Sequence, residues 1–362
     1  MNVARATEVS LKLQLVRDVI GPRRVLRLKG IDWFAWMTAG GASEVLLAAE
    51  TGIAEVVITE GGAYVVTNDI EAQRLMDEQL PEGFEVRILP WAYPSQRQVV
   101  MRELAQGMPV LSDRPEEGER ELPMPLLTAK MALTPPEIHR YQEVGLLAAQ
   151  AMTETLKQAR PDWTELQLSG AGAAALLTRG LAPALVMAAG ERRLRLYRHP
   201  MPTSEPLGGC AMLVFCARGF GLYANLTRFV AFRPLAPEQE LLHRQVREVE
   251  AHALEASRPG ASLHEVYREL ASAYAAAGYE QAIREHHQGG VTGYLSRELL
   301  ASPEVPDRLA AGMAVAWNPS ITGAKVEDTF LVTESGLLNL TLDPAWPTVP
   351  VAELERPLVL QR

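Results

Sequence analysis

The stretch VAWNPSITGAKVEDTFLV, Val315–Val332, decides how the C-terminal part of this chain is read. Apolar runs on either side of "TGAK" read as two strands around a turn. Asn318 stands at the end of the first strand, and a lone carboxylate, Glu327, follows nine residues later. Paired carboxylates at such strand ends would mark a metal or an acid–base site. Here one member of the pair is missing.

Working outward, the same kinds of element recur. Thr134 is placed to cap a helix that has Pro135 and Pro136 in its first turn and continues through the amphipathic EIHRYQEVGLLAAQAMTETLKQA. A second helix follows "RPDWTE", and then come the strand-like LVMAAG and CAMLVFCARGFGLYANLTRFVAF. The order then repeats: PEQELLHRQVREVEAHALEA, SLHEVYRELASAYAAAG, and the strands AVAWNPS and KVEDTFLV. Two helix–helix–strands halves of similar length point to an internal duplication, and a ligand site belongs between them. Residues 25–67 alternate short apolar runs with Gly and Asn breaks, which reads as a small mixed domain with Gly61-Gly62 in a hairpin turn. The charged, proline-bearing SDRPEEGERELPMP, 112–125, reads as a linker. The expected organization is α+β: a mixed α/β domain over 1–125, then a second domain over 126–362.

Bulk properties narrow the function. At 362 residues the chain is long enough for two cores, and a net charge of −9 opposes binding to a polyanion. Nucleic acid is therefore excluded as a partner. No apolar run reaches the ~18 residues of a membrane span, and the first residues lack the pattern of a secretion signal, so a cytoplasmic protein is expected. Cys210 and Cys216 are the two cysteines, too few to staple a fold of this size.

The order of elements from about 126 to 350, with "LTPPEI", "HPMPTSEPL", "YANLTRFVAF", "LAAGMAVAWNPSI" and "KVEDTFLVTESG", resembles the pita-bread fold of creatinase, prolidase and aminopeptidase P. The first 125 residues are similar to the domain that accompanies that fold. The resemblance implies a dimer acting on a small molecule or short peptide, and two divalent metals held by two Asp, one His and two Glu. Laid onto this sequence, those positions fall on Val214 (with Cys216 as the nearest polar alternative), Asn225, Gly290, Asn318 and Glu327. Only Glu327 keeps the charge that hard divalent ions need. The expectation is therefore no metal and no cofactor.

Creatinase, a relative that works without metal through a histidine, suggests metal-independent hydrolysis of a C–N bond in a small substrate. The alternatives are a catalytically inactive pseudo-peptidase that binds a ligand or partner, and an Xaa-Pro peptidase with an atypical metal set. For the first reading Glu327 is a candidate base, its pKa raised by a partly apolar cleft. The plainer reading of Glu327 is a buried acid paired with Lys325. His286, His287 and His199 are candidate imidazoles for proton transfer, the last because it matches a substrate-facing histidine of the family. Arg297, at a second substrate-side histidine position, would grip a substrate carboxylate. Asn225, Asn318 and Tyr223 complete the expected substrate-binding set. Arg193 and Arg195 are expected to share one strand face.

Overall fold

The computed structural model describes residues 2–362, and the chain divides into two compact units between Lys130 and Met131. Among the described residues no helix is long and apolar enough to cross a membrane.

In the first unit a six-stranded sheet runs in the order Glu85–Leu89, Ala63–Asn68, Thr51–Ile58, Val25–Gly30, Val110–Ser112, Arg120–Glu121. The hairpin turn lies at Gly61-Gly62: Ile58 pairs with Ala63, and Thr59 N donates to Gly62 O at 2.9 Å. The expected linker at 112–125 behaves differently. Arg120–Glu121 adds to the sheet edge, Asp113 accepts from the backbone N–H groups of Lys29 and Gly30, and Glu116 and Glu119 both ion-pair with Arg27. Its charges are not solvated spacers but counter-ions to buried cations, and the helix Met124–Met131 then carries the chain across the boundary.

The second unit has the two expected halves. In the first half, helices Pro135–Gln158 and Glu165–Leu177 join an antiparallel sheet of Ala182–Gly190, Cys210–Gly219 and Leu222–Ala231. Val144, Ala148, Leu156 and Leu168 from the helices share a core with Leu213, Phe215 and Leu226 from the strands. In the second half, helices Pro237–Ala256 and Leu263–Ala276 cover strands Gly289–Thr292, Ala314–Trp317 and Asp328–Thr333 through a core that includes Val246, Leu270, Trp317 and Phe330. The Val315–Val332 hairpin forms as read: Trp317 pairs with Asp328 and Ala314 with Leu331, with a smaller hairpin of Ser320–Ile321 and Ala324–Lys325 at its tip. Arg193 and Arg195 do not share a strand face. They lie in a 3-10 turn, Arg193–Arg195, just past the end of the strand Ala182–Gly190, and Arg193 is engaged by Glu165.

The halves meet where the strand Leu222–Ala231 runs beside the C-terminal hairpin. Thr227 N donates to Glu327 O at 3.0 Å, and Asn225 N donates to Thr329 Oγ1 at 2.8 Å. Next to this seam lies a buried charge cluster. Asp328 takes Arg228 at 2.6 Å on one oxygen and Arg356 at 2.9 Å on the other, while Arg356 also meets Glu250 at 2.6 Å. All four are at most 3% exposed. Removing one partner of such a set leaves an uncompensated buried charge, so Asp328→Asn is expected to cost about 3–5 kcal/mol. Urea unfolding of the full chain measures this; a cost below about 1 kcal/mol would show that the cluster does not hold the seam.

Candidate functional site

Glu327 emerges at this seam and is almost wholly enclosed, at 2% exposure. Its carboxylate is fully committed. Arg297 donates to Oε1 at 2.7 Å, the Thr227 hydroxyl donates to Oε2 at 3.0 Å, and Lys325 Nζ lies 3.3 Å from Oε2. Burial pushes the carboxyl up, but the Lys325 and Arg297 charges, with hydrogen bonds from Arg297 and Thr227, outweigh it and hold the pKa down at about 2. This corrects the expectation of a raised pKa. Arg297, expected to grip a substrate carboxylate, grips Glu327 instead.

The other positions implied by the resemblance are filled in four ways. Val214 is 2% exposed and sits in an apolar cluster with Met187, Met212 and Phe229. Cys216, across the ladder from Asn225, is a thiol that burial and the nearby Glu327 charge raise to about 11, so it carries no anion at neutral pH. At Gly290 a Cβ would meet Leu299 O at 2.1 Å, and at Gly289 it would meet Ala316 O at 2.0 Å. Backbone fills the space that a histidine at 290 would need. Asn225 donates through Nδ2 to Thr292 Oγ1 at 3.0 Å, yet its Oδ1 has no partner, and neither has Asn318 Oδ1. Both residues are buried, at 0% and 2% exposure. Buried amide oxygens without donors are uncommon in folded proteins.

Tyr223 lies on the same sheet face as Asn225 and Thr227, its ring 5.8 Å from the Arg218 guanidinium and its carbonyl accepting from Tyr141.

The three candidate histidines come together, although His199 precedes the others by more than eighty residues. His199 Nε2 and His286 Nε2 are 2.7 Å apart, and the ring centroids of His286 and His287 are 4.4 Å apart. Supporting contacts hold the cluster. Arg198, beside His199, ion-pairs with Glu285, beside His286, and donates to Thr322 Oγ1; Gln288 Nε2 donates to His286 O at 2.6 Å. Burial, reinforced by the charge of Lys325, depresses His286 to about 3. Burial and then Arg297 depress His287 to about 4, and burial and then Lys325 lower His199. All three are therefore neutral near pH 7.

Sequence reading did not foresee the clamp on Glu327 by Arg297. Its only trace in the sequence is a basic residue at a position where the resembling family has histidine.

The fold matches that of an Xaa-Pro dipeptidase from Bacillus anthracis, with a TM-score of 0.77 and 16% identity over 98% of this chain and 100% of that one. It also matches an X-Pro aminopeptidase from Thermotoga maritima, with a TM-score of 0.76 and 16% identity over 98% and 99%. The model of metallopeptidase family M24 covers residues 139–334, more than half of the chain, and the chain belongs to that family. A putative dipeptidase, YkvY, from Bacillus subtilis is 28% identical over 130 residues, a match that spans 34% of this chain and only 36% of that relative.

The Glu327 clamp has a consequence in acid. Its carboxyl titrates near 2 in the fold, against an ordinary 4.5. The stability it contributes is complete above about pH 4.5 and is lost as the pH falls through that window, a difference of about 3 kcal/mol. Urea unfolding measured from pH 5 to pH 2 is expected to show a steeper acid loss in the wild type than in Glu327→Gln. Equal slopes would mean that the ion pairs do not form.

Proposed function

We propose that this chain keeps the M24 scaffold without the dinuclear center of its peptidase relatives, and that its site holds a small molecule or short peptide instead of hydrolyzing Xaa-Pro bonds. One observation carries the reading: the single carboxylate left among the five positions is neutralized by two cations, Arg297 and Lys325, at hydrogen-bonding range. Two divalent ions need several anionic oxygens around them. Here the set would be one saturated carboxylate, two neutral carboxamides, a buried valine and a glycine with no room for a side chain. That donor set does not fit the group. The two unpartnered amide oxygens, Asn225 Oδ1 and Asn318 Oδ1, and the unpartnered Arg297 Nε support a ligand that brings both N–H donors and an acceptor.

A second reading, metal-free hydrolysis of a C–N bond, is favored by the contact between His199 and His286. With His286 Nδ1–H donated to the His287 carbonyl, His286 Nε2 is the acceptor and His199 Nε2–H the donor, which leaves His199 Nδ1 as a free base. It ranks second because burial and the Lys325 charge lower His199 below the ordinary imidazole value, which weakens it as a base near pH 7.

Assays on Xaa-Pro dipeptides, with the full chain supplied with manganese or cobalt, are expected to show no turnover above background, in the wild type and in Glu327→Gln alike. Turnover that disappears in Glu327→Gln would overturn the proposal. Cleavage of a small amide that is lost in His199→Ala and kept in Glu327→Gln would establish the second reading in its place.

A further inference from the structure

The imidazole cluster has a geometry that ligand binding by Asn225 and Asn318 does not use. His199, His286 and His287 each offer a ring nitrogen, and these atoms all lie within 4.8 Å of one another. His199 Nε2 and His286 Nε2 face each other at 2.7 Å. His286 Nδ1 lies against the His287 carbonyl, and a carbonyl can only accept, so the proton of neutral His286 is on Nδ1 and its Nε2 lone pair points into the cluster. A histidine that ligates a metal is held in this way, its far N–H donated to a carbonyl so that the tautomer and ring plane are fixed.

We propose that His199, His286 and His287 form a site for one divalent transition-metal ion of the Zn2+ class, separate from the five family positions. The inference names a ligand for the same region and rests on the reading that the dinuclear center is not formed.

Three neutral imidazoles suit Zn2+, Ni2+ and Cu2+ and are poor ligands for Mg2+, Ca2+ or Mn2+, which prefer oxygen. Local charge sharpens that selectivity. Lys325 and Arg297 both act on the cluster, and the single negative charge of Glu327 does not cancel them. An ion held only by charge would be repelled, so an occupant must gain from the strength of its bonds to imidazole.

His286 is buried while His199 and His287 are exposed, which gives an ion an entry path and leaves a fourth coordination position open to water or a ligand. Two nitrogens bound to one tetrahedral Zn2+ lie ~3.3 Å apart, so the His199–His286 contact must open by roughly half an ångström, and the His199 proton moves from Nε2 to Nδ1 to free the Nε2 lone pair. His199, exposed and outside any helix or strand, has the freedom to do so.

The test is isothermal titration of the chelator-treated full chain with Zn2+ at pH 7.5, with plasma mass spectrometry for stoichiometry and Co2+ absorption for geometry. One Zn2+ per chain is expected. Its affinity should fall at least about a hundredfold in His199→Ala and in His287→Ala, the two exposed ligands whose removal spares the core, and change less than about threefold in His252→Ala, an exposed histidine on the helix Pro237–Ala256 outside the cluster. Circular dichroism confirms that each variant is folded. Absence of Zn2+ uptake, or uptake indifferent to both histidine variants, would overturn this inference and leave the proposed function standing. Two ions per chain, both lost in Glu327→Gln, would overturn the proposed function and this inference with it.

Discussion

Asp328 is the residue on which the rest of the second unit depends. It begins a strand of the C-terminal half and is met by Arg228 from the first half and by Arg356 near the chain end, with Glu250 completing a set of two acids and two guanidiniums. None of the four reaches water to a useful extent. Such a set is stable only when every member is in place, because each lone charge left in the interior costs several kcal/mol. The two sheets are thereby locked in one register at their junction. Neighbors on an extended chain point to opposite sides, so fixing Asp328 in the charge cluster also fixes the buried Glu327 on the other side, against Thr227.

The site beyond that strand follows from electrostatics. A dinuclear center gathers anions around cations, whereas here two cations gather around one anion. The inversion is reinforced sterically at Gly290, where carbonyl oxygen occupies the space of a missing side chain, and chemically at Asn225 and Asn318, which offer dipoles in place of charges. Each change alone would weaken metal binding. The Glu327 carboxylate is satisfied from inside the protein by Arg297, Thr227 and Lys325, while Asn225 Oδ1 and Asn318 Oδ1 take no donor from it.

Nearby, the imidazoles show how support contacts define chemistry. The Arg198–Glu285 ion pair ties the two segments that carry His199 and His286, and Gln288 holds the backbone that presents His286 and His287. Three low-pKa rings packed together would repel one another if protonated, so the cluster persists near neutral pH by staying neutral. In the neutral cluster His199 Nε2–H donates to His286 Nε2, a contact that protonation of His286 would break.

Much of this was legible in the sequence. The repeated helix–helix–strands order, the Thr134 helix start, the Gly61-Gly62 turn and the Val315–Val332 hairpin are set by local periodicity and by turn and capping residues, and local rules act over a few residues of chain. The identities at Asn225, Gly290, Asn318 and Glu327 were equally plain, since motif order needs no coordinates. What the tertiary structure decided was the set of partners. Arg297 reaches Glu327 across thirty residues, Glu116 and Glu119 turn an apparent linker into counter-ions for Arg27, and His199 meets His286 across 87. The sign of a pKa shift or the convergence of three rings depends on distances of a few ångströms between segments far apart in the chain. Sequence spacing does not encode those distances; packing does.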